Sequence, residues 1–297
     1  MSRPAMIEIS RDHVAVFEEA RPSLMGLAYR ILGSRADAED VVQDCFIKWS
    51  EADRDAIDRP TAWLTTVCTR RCLDILRASD RKRVDYVGPW LPEPIQIAAP
   101  APDLELAGTL GTAFLLMLER LSPKERAAYL LHDIFERSYA DIAAALDLEE
   151  AACRQLVSRA RTHVNQDKPR YVTPLETQDR LLHAFHSAVE TGDPAELAAL
   201  LSSDVRLTAD GGGKAVASLR VLDGQHVMTF LRHAGQWWKD YAWTFVDMNG
   251  GRGAILTKEG APQLTITFAC DAEGRIGEIF IMRNPDKLAH LEPVVIH

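Results

Sequence analysis

Apolar positions recur at helical spacing through residues 12–78. Val14, Phe17, Leu24, Leu27, Ala28 and Ile31 make one stripe, and Val41, Val42, Cys45, Phe46 and Trp49 a second. A third runs through Trp63, Leu64, Val67, Cys68, Leu73, Ile75 and Leu76. Gly33-Ser34 ends the first helix, and Asp37 begins the next with acids in its first turn, where they suit the helix dipole. Pro60 opens a third helix, expected over 61–77. Helical patterning resumes at 104–166. There Ser122-Pro123-Lys124-Glu125 and Ser138-Tyr139-Ala140-Asp141 have the form of capped helix starts. From 175 the texture changes. An amphipathic helix (175–191) and a short one (194–201) precede β-branched or alternating runs at 205–208, 242–246, 254–257, 264–268 and 276–281, separated by Gly-rich turns. That order predicts an α+β domain with a mostly antiparallel sheet.

Two breaks divide the pattern. Residues 85–103 hold prolines at 89, 92, 94, 100 and 102, so no helix or central strand runs through them. Trp90 and Leu91 sit inside that linker, and a purely flexible connection has no use for them, so part of it is expected to dock. Residues 167–174, DKPRYVTP, form the second break. The expected domains are therefore 1–84, 104–166 and 175–297. A chain of 297 residues has room for that many cores. No run of about 20 apolar residues predicts a membrane span, and the N-terminus lacks the basic head and apolar run of a secretory signal. Five scattered cysteines fit a reducing cytoplasm better than a disulfide scaffold.

The net charge of −9 argues against indiscriminate nucleic-acid binding, but its distribution is uneven. Residues 35–58 carry eight acids against three basic residues, whereas 70–83 carry six basic residues against two acids. Residues 151–163 contain Arg154, Arg159 and Arg161 and no acid. One acidic and two basic blocks imply different partners at different places.

The segment 138–163 has the form of a helix-turn-helix. Ile142, Ala143 and Leu146 line the first helix and Leu148 the turn. Cys153, Leu156, Val157 and Ala160 line the inner face of the second helix. Its outward positions are then Ala151, Arg154, Gln155, Ser158, Arg159 and Arg161. Arg and Gln are side chains that read major-groove base edges, and further arginines hold phosphates. The same residues also suit a packed helical hairpin with a solvated basic face, and the segment alone leaves both open.

Segments 27–49, 59–77 and 121–161 together resemble an extracytoplasmic-function sigma factor, the first two its region-two domain and the third its region-four domain. Trp90-Leu91-Pro92-Glu93-Pro94, Asp210-Gly211-Gly212-Gly213-Lys214 and Asn284-Pro285-Asp286-Lys287-Leu288 resemble motifs of the SigJ-like subgroup, which carries a fused SnoaL-like C-terminal domain. The resemblance implies two all-α domains, the second a helix-turn-helix, followed by an α+β cone of the nuclear transport factor 2 type. It implies that Asp37, Asp40 and Asp44 meet the β′ clamp helices of core RNA polymerase. It assigns the −10 promoter element to Arg70, Arg71, Arg77, Arg81 and Lys82, and the −35 element to Arg154, Gln155, Ser158, Arg159 and Arg161. The three motifs would form a regulatory contact between domains, with the glycine loop near the interdomain surface. A separate anti-sigma protein is possible but not implied.

Some SnoaL-like proteins move protons on a bound polyketide or steroid, which requires a tuned acid or base in an apolar pocket. Trp237, Trp238, Tyr241, Trp243 and Phe245 could line one, with Asp210, Asp247 or His226 as acid or base, although core packing explains the aromatic cluster better. No catalytic residue, cofactor or metal is expected. Asp210–Lys214 lacks the glycine offset and Ser/Thr of a phosphate loop. An amphipathic helix explains His183-x-x-His186, and Cys68 and Cys72 read as core, as does Trp63. The predicted function is a promoter-directing sigma factor regulated by its own C-terminal domain. The alternatives are a regulator whose SnoaL-like pocket binds a small ligand, and a fused isomerase or cyclase.

Overall fold

A computed structural model describes residues 11–96, 111–167 and 173–291. The chain divides into two compact units, Met1–Lys82 with Leu118–Gln166, and Arg83–Met117 with Asp167–His297.

The first unit is helical: α1 (Arg11–Leu32), α2 (Arg35–Glu51), a 3-10 turn (Arg54–Ala56) and α3 (Pro60–Val84). It continues from the last residues of α4 (Thr112–Glu119) through α5 (Pro123–Tyr129), a π turn (Leu130–Ile134), α6 (Tyr139–Leu146) and α7 (Glu150–Asp167). The expected start of helix at 104 lies outside the described residues. Local chemistry sets the boundaries. Ser34 caps α2, Ser122 and Glu125 form a reciprocal capping box on α5, and Ser138 caps α6. Phe17, Leu24, Leu27, Val41, Cys45, Trp49, Leu64, Cys68 and Cys72, from all three of the first helices, are buried. Trp63 is half-buried, with its ring 5.8 Å from that of Trp49.

The second unit is built on a six-stranded mixed sheet ordered β2-β1-β6-β5-β4-β3. The strands are β1 (Leu201–Asp210), β2 (Leu222–Asp223), β3 (Ala242–Met248), β4 (Gly251–Lys258), β5 (Ala261–Cys270) and β6 (Ile276–Met282). Among the described residues only β1 and β6 pair parallel. The helices are α8 (Leu175–Thr191), α9 (Pro194–Leu200), α10 (Gly224–Trp238) and α11 (Pro285–Leu288). Leu201 belongs to β1 rather than to the end of the preceding helix. The pattern reading missed α10, although Val227, Leu231, Ala234 and Trp238 mark its buried stripe at helical spacing.

Both faces of the sheet are covered. Ala254, Leu256, Leu264, Ile266, Ile279 and Ile281 face the core made with α8, α9 and α10. Met248, Ile255, Phe280 and Met282, one residue out of phase, face a second cluster with Leu91, Leu288 and Leu291, against which Ala113 and Leu116 of α4 also pack. Alternate strand residues point to opposite faces, so these uninterrupted apolar runs require two covers. The second cover is the linker and the C-terminal turn.

Candidate DNA-binding surfaces and linker clasp

The helix-turn-helix forms as α6 and α7. Asp147 ends α6 in the left-handed conformation (φ 54°). Ile142, Ala145, Leu146, Cys153, Leu156, Val157 and Ala160 are buried. Ala145 therefore takes the buried place expected for Ala143, which is only half-buried. Ala151, Arg154, Gln155, Ser158, Arg159 and Arg161 are exposed. The arginines are not bare. Arg154 donates to Glu150 (2.6 Å) and lies 5.1 Å over the Tyr139 ring. Arg159 donates to Glu125 (3.0 Å), and Arg161 Nε donates to both oxygens of Asp133 (3.1 and 2.9 Å). The basic block read from 151–163 is thus neutralised by acids from outside that stretch.

On α2, Asp37 and Asp40 are exposed, while Asp44 is half-buried and bonded to Arg71 Nε (2.7 Å). Arg77 pairs with Asp74 one turn away (2.9 Å). The side chains of Arg81 and Lys82 lie outside the described residues. Arg70 is committed within the unit, donating to Ala144 O (2.6 Å) and Ala145 O (3.2 Å) at the C-terminus of α6. Arg126 reciprocates from α5. It is 3% exposed and donates to Ile31 O (2.6 Å) at the end of α1 and to Glu119 (2.6 Å). Guanidinium groups thus cap helix C-termini in both directions, where carbonyls lack intrahelical partners. Arg59 adds a two-point bond to Asp141 (2.7 and 3.2 Å). That bond, with the Ser138 hydroxyl, holds the Asp141 carboxyl below the usual range despite its burial.

In the second unit the three motifs meet. Asp210, 0% exposed, accepts from Tyr86 OH (2.6 Å), Leu91 N (2.8 Å), Gly212 N (3.0 Å) and Lys287 Nζ (2.8 Å). Lys287 also donates to Leu91 O (2.6 Å) and sits 4.3 Å from the Trp90 ring and 5.0 Å from that of Tyr86. Asn284 caps α11 and donates to the Tyr86 oxygen (3.0 Å). Burial and the Asp210 bond raise the Tyr86 pKa, so its hydroxyl stays a donor. Lys214 pairs with Asp286. Gly212 has φ 58°, and a Cβ there would fall on the Asn284 amide, so both conformation and space require glycine. Leu91, Pro92 and Pro94 are buried, and Glu93 is half-buried. His290 bonds Pro94 O (2.7 Å), and Asn249 exchanges two 2.9 Å bonds with Ile95.

The pattern reading missed Tyr86, Asn249 and His290. An isolated Tyr in DYVGPW and a turn Asn carry no periodic signal. A cleft of about 290 Å³ adjoins the glycine loop, lined by Val87, Gly88, Gly211, Gly213 and Ala215–Leu219. The aromatic group lies elsewhere. Trp238 is in the core, Tyr241, Trp243 and Phe245 pack on it, and Trp237 is 54% exposed. His183 and His186 pack at a tilt against Phe245 and Trp243, with ring centroids 4.2 and 4.5 Å apart. Asp247 pairs with Arg252, and exposed His226 with Asp223. Among the described residues, no group of three or more His, Cys, Asp or Glu is arranged to hold a metal ion.

Family models for Sigma-70 region 2 and Sigma-70 region 4 match residues 16–82 and 112–164. The ECF RNA polymerase sigma factor SigJ of Mycobacterium tuberculosis H37Rv is 35% identical over 293 residues, covering 92% of each chain. A probable ECF RNA polymerase sigma factor, SigI, from M. tuberculosis CDC 1551 is 30% identical over 283 residues, covering 92% of this chain and 94% of that one. The crystal structure of M. tuberculosis SigJ superposes with a TM-score of 0.74 at 32% identity, covering 95% of this chain and 100% of that one.

Proposed function

Because the chain belongs to the extracytoplasmic-function family of RNA polymerase sigma factors, we propose that it directs core RNA polymerase to promoters and that its C-terminal domain regulates it. The observation that carries the first part is α7. As the second helix of a helix-turn-helix, it presents Arg154, Gln155 and Ser158 outward in register, the arrangement that places side chains on base edges in a major groove. Asp37 and Asp40 supply an exposed acidic face for the basic clamp helices of polymerase, where charge complementarity steers docking and sets register. The −10 element falls to α3 through Arg70, Arg71 and Arg77, with Arg81 and Lys82 at its end.

Regulation rests on two features. Arg70 is spent on the carbonyls closing α6, so its use on DNA requires the region-two and region-four segments to part. The linker that joins those segments is held by the clasp of Asp210, Lys287, Tyr86 and Asn284, with the Lys214–Asp286 pair beside it. Strength of the clasp then sets how readily the segments spread, a population balance between two arrangements. Among the described residues no helix is long and apolar enough to cross a membrane, and action beside polymerase places the protein in the cytoplasm. The role needs no enzymatic chemistry. Asp210, the best-placed acid, has its oxygens occupied by four donors.

Run-off transcription with purified core polymerase tests the proposal. The full chain should give a promoter-specific transcript. Removal of residues after 174 should change its yield without abolishing core binding. Absence of any promoter-specific transcript refutes the function, and equal yields refute the regulation.

A further inference from the structure

Each arginine on the outward face of α7 meets a carboxylate, but the three carboxylates differ. Glu150 sits in the first turn of α7 itself. Its side chain is 46% exposed, and such an i,i+4 pair is worth little. Glu125 and Asp133 come from α5 and the π turn, and their side chains are only 12% and 17% exposed. Both are held in place. Glu125 accepts from the Ser122 backbone (3.2 Å) and hydroxyl (2.7 Å), and Asp133 contacts His132 Nδ1 (3.0 Å). Burial alone would raise both carboxyl pKa values. Bonds from Ser122 and Arg159 outweigh it at Glu125, and bonds from Arg161 and His132 at Asp133, so both lie below the usual range. These are fixed anions at neutral pH.

We propose that Glu125 and Asp133 are specificity-determining residues for DNA recognition, internal counter-anions that occupy Arg159 and Arg161 until α7 is seated on a matching sequence. The inference rests on the reading of α7 as the promoter-reading helix. Non-specific affinity for DNA comes almost entirely from phosphate neutralisation. A phosphate approaching Arg159 or Arg161 must displace a carboxylate already in place, so it gains little. Base-edge contacts by Gln155 and Ser158 carry no such cost. Discrimination widens because the sequence-independent term shrinks.

Asp133→Asn and Glu125→Gln remove charge and keep shape, and Gln also serves in a capping box. The probe is a fluorescein-labelled 20-base-pair duplex of scrambled sequence, titrated with full-length protein from about 0.05 to 1 M salt and read by anisotropy. Each released arginine adds about one phosphate contact and steepens the log–log salt slope by about 0.9. If affinities converge at 1 M, that is about 8-fold tighter binding at 0.1 M for each variant. The Asp133→Asn gain should vanish when combined with Arg161→Ala. Unchanged affinity and slope in the folded variants overturn the proposal, as does a gain that survives loss of Arg161. The two substitutions are in different elements, so a folding defect in one leaves the other as the test. Promoter choice by polymerase carrying Arg154→Ala reads the parent function separately. If that choice shifts while the salt slopes of the two acid variants do not, only this inference fails.

Discussion

Replacing Lys287 with methionine removes the cation from a carboxylate that solvent does not reach. Asp210 is 0% exposed, and the Lys287 side chain 9%. Asp210 would keep its donors Tyr86 OH, Leu91 N and Gly212 N, but its charge would stand uncompensated in a low-dielectric setting. The bond from Lys287 to Leu91 O and its seat against the Trp90 ring would also go. Removing one partner of a buried ion pair costs about 3–5 kcal/mol. Lys287→Met should therefore destabilise the second unit by that amount, whereas Asp210→Asn with Lys287→Met should recover much of it. A cycle over the two positions should show a coupling of about 2 kcal/mol. Urea unfolding of the full chain measures the first quantity. Hydrogen exchange at the Leu91 amide reports whether the linker opens before the sheet. If it does, 3–5 kcal/mol corresponds to exchange faster by about 10² to 5 × 10³. A Lys287→Met protein within about 1 kcal/mol of wild type, with unchanged exchange at Leu91, would refute the view that this pair fixes the linker.

Three further outcomes are expected. Arg154→Ala should lose about 1–3 kcal/mol of discrimination at one −35 base pair, read by run-off from promoter variants, unless Arg154 serves only Glu150 and Tyr139. Asp40→Lys with Asp44→Lys should weaken binding to core polymerase in a size-exclusion assay, because like charges then face the clamp. Asp44 already pairs with Arg71, so Asp40 should account for most of the effect when reversed alone. The Arg59 bond depresses the Asp141 pKa, so its stabilisation is complete above the unfolded value of about 3.9 and is lost as pH falls through the lower folded value. Acid titration below about pH 4 should therefore cost the wild type a margin that Arg59→Ala does not show.

Most of the helices, the helix-turn-helix and all five long strands were legible from the order of apolar positions and from capping residues such as Ser122 and Ser138, whereas α10 was missed. These signals are local. Periodicity reports which face of one element is buried, and a cap reports one helix end. The docking of the linker was half legible, because Trp90 and Leu91 were out of place in a flexible segment. The resemblance named the two motifs expected to meet it, around Asp210 and Lys287, but the spacing of residues over a hundred positions away marked neither the ion pair between those two nor the Tyr86 bond.

Charge is where the linear chain and the folded one part most clearly. Composition determined the net charge and the acidic and basic blocks along the sequence. Only the tertiary structure decided which charges remain on the surface. Arg159 and Arg161 belong to a basic run until α5 and the π turn bring Glu125 and Asp133 beside them. Arg70, one of a basic cluster in sequence, is spent on the carbonyls that close α6. The physical reason is range. Secondary structure is set by neighbours three or four residues apart, whereas electrostatic pairing in a fold is set by contact within about 4 Å, and the chain reaches that distance between residues of any separation.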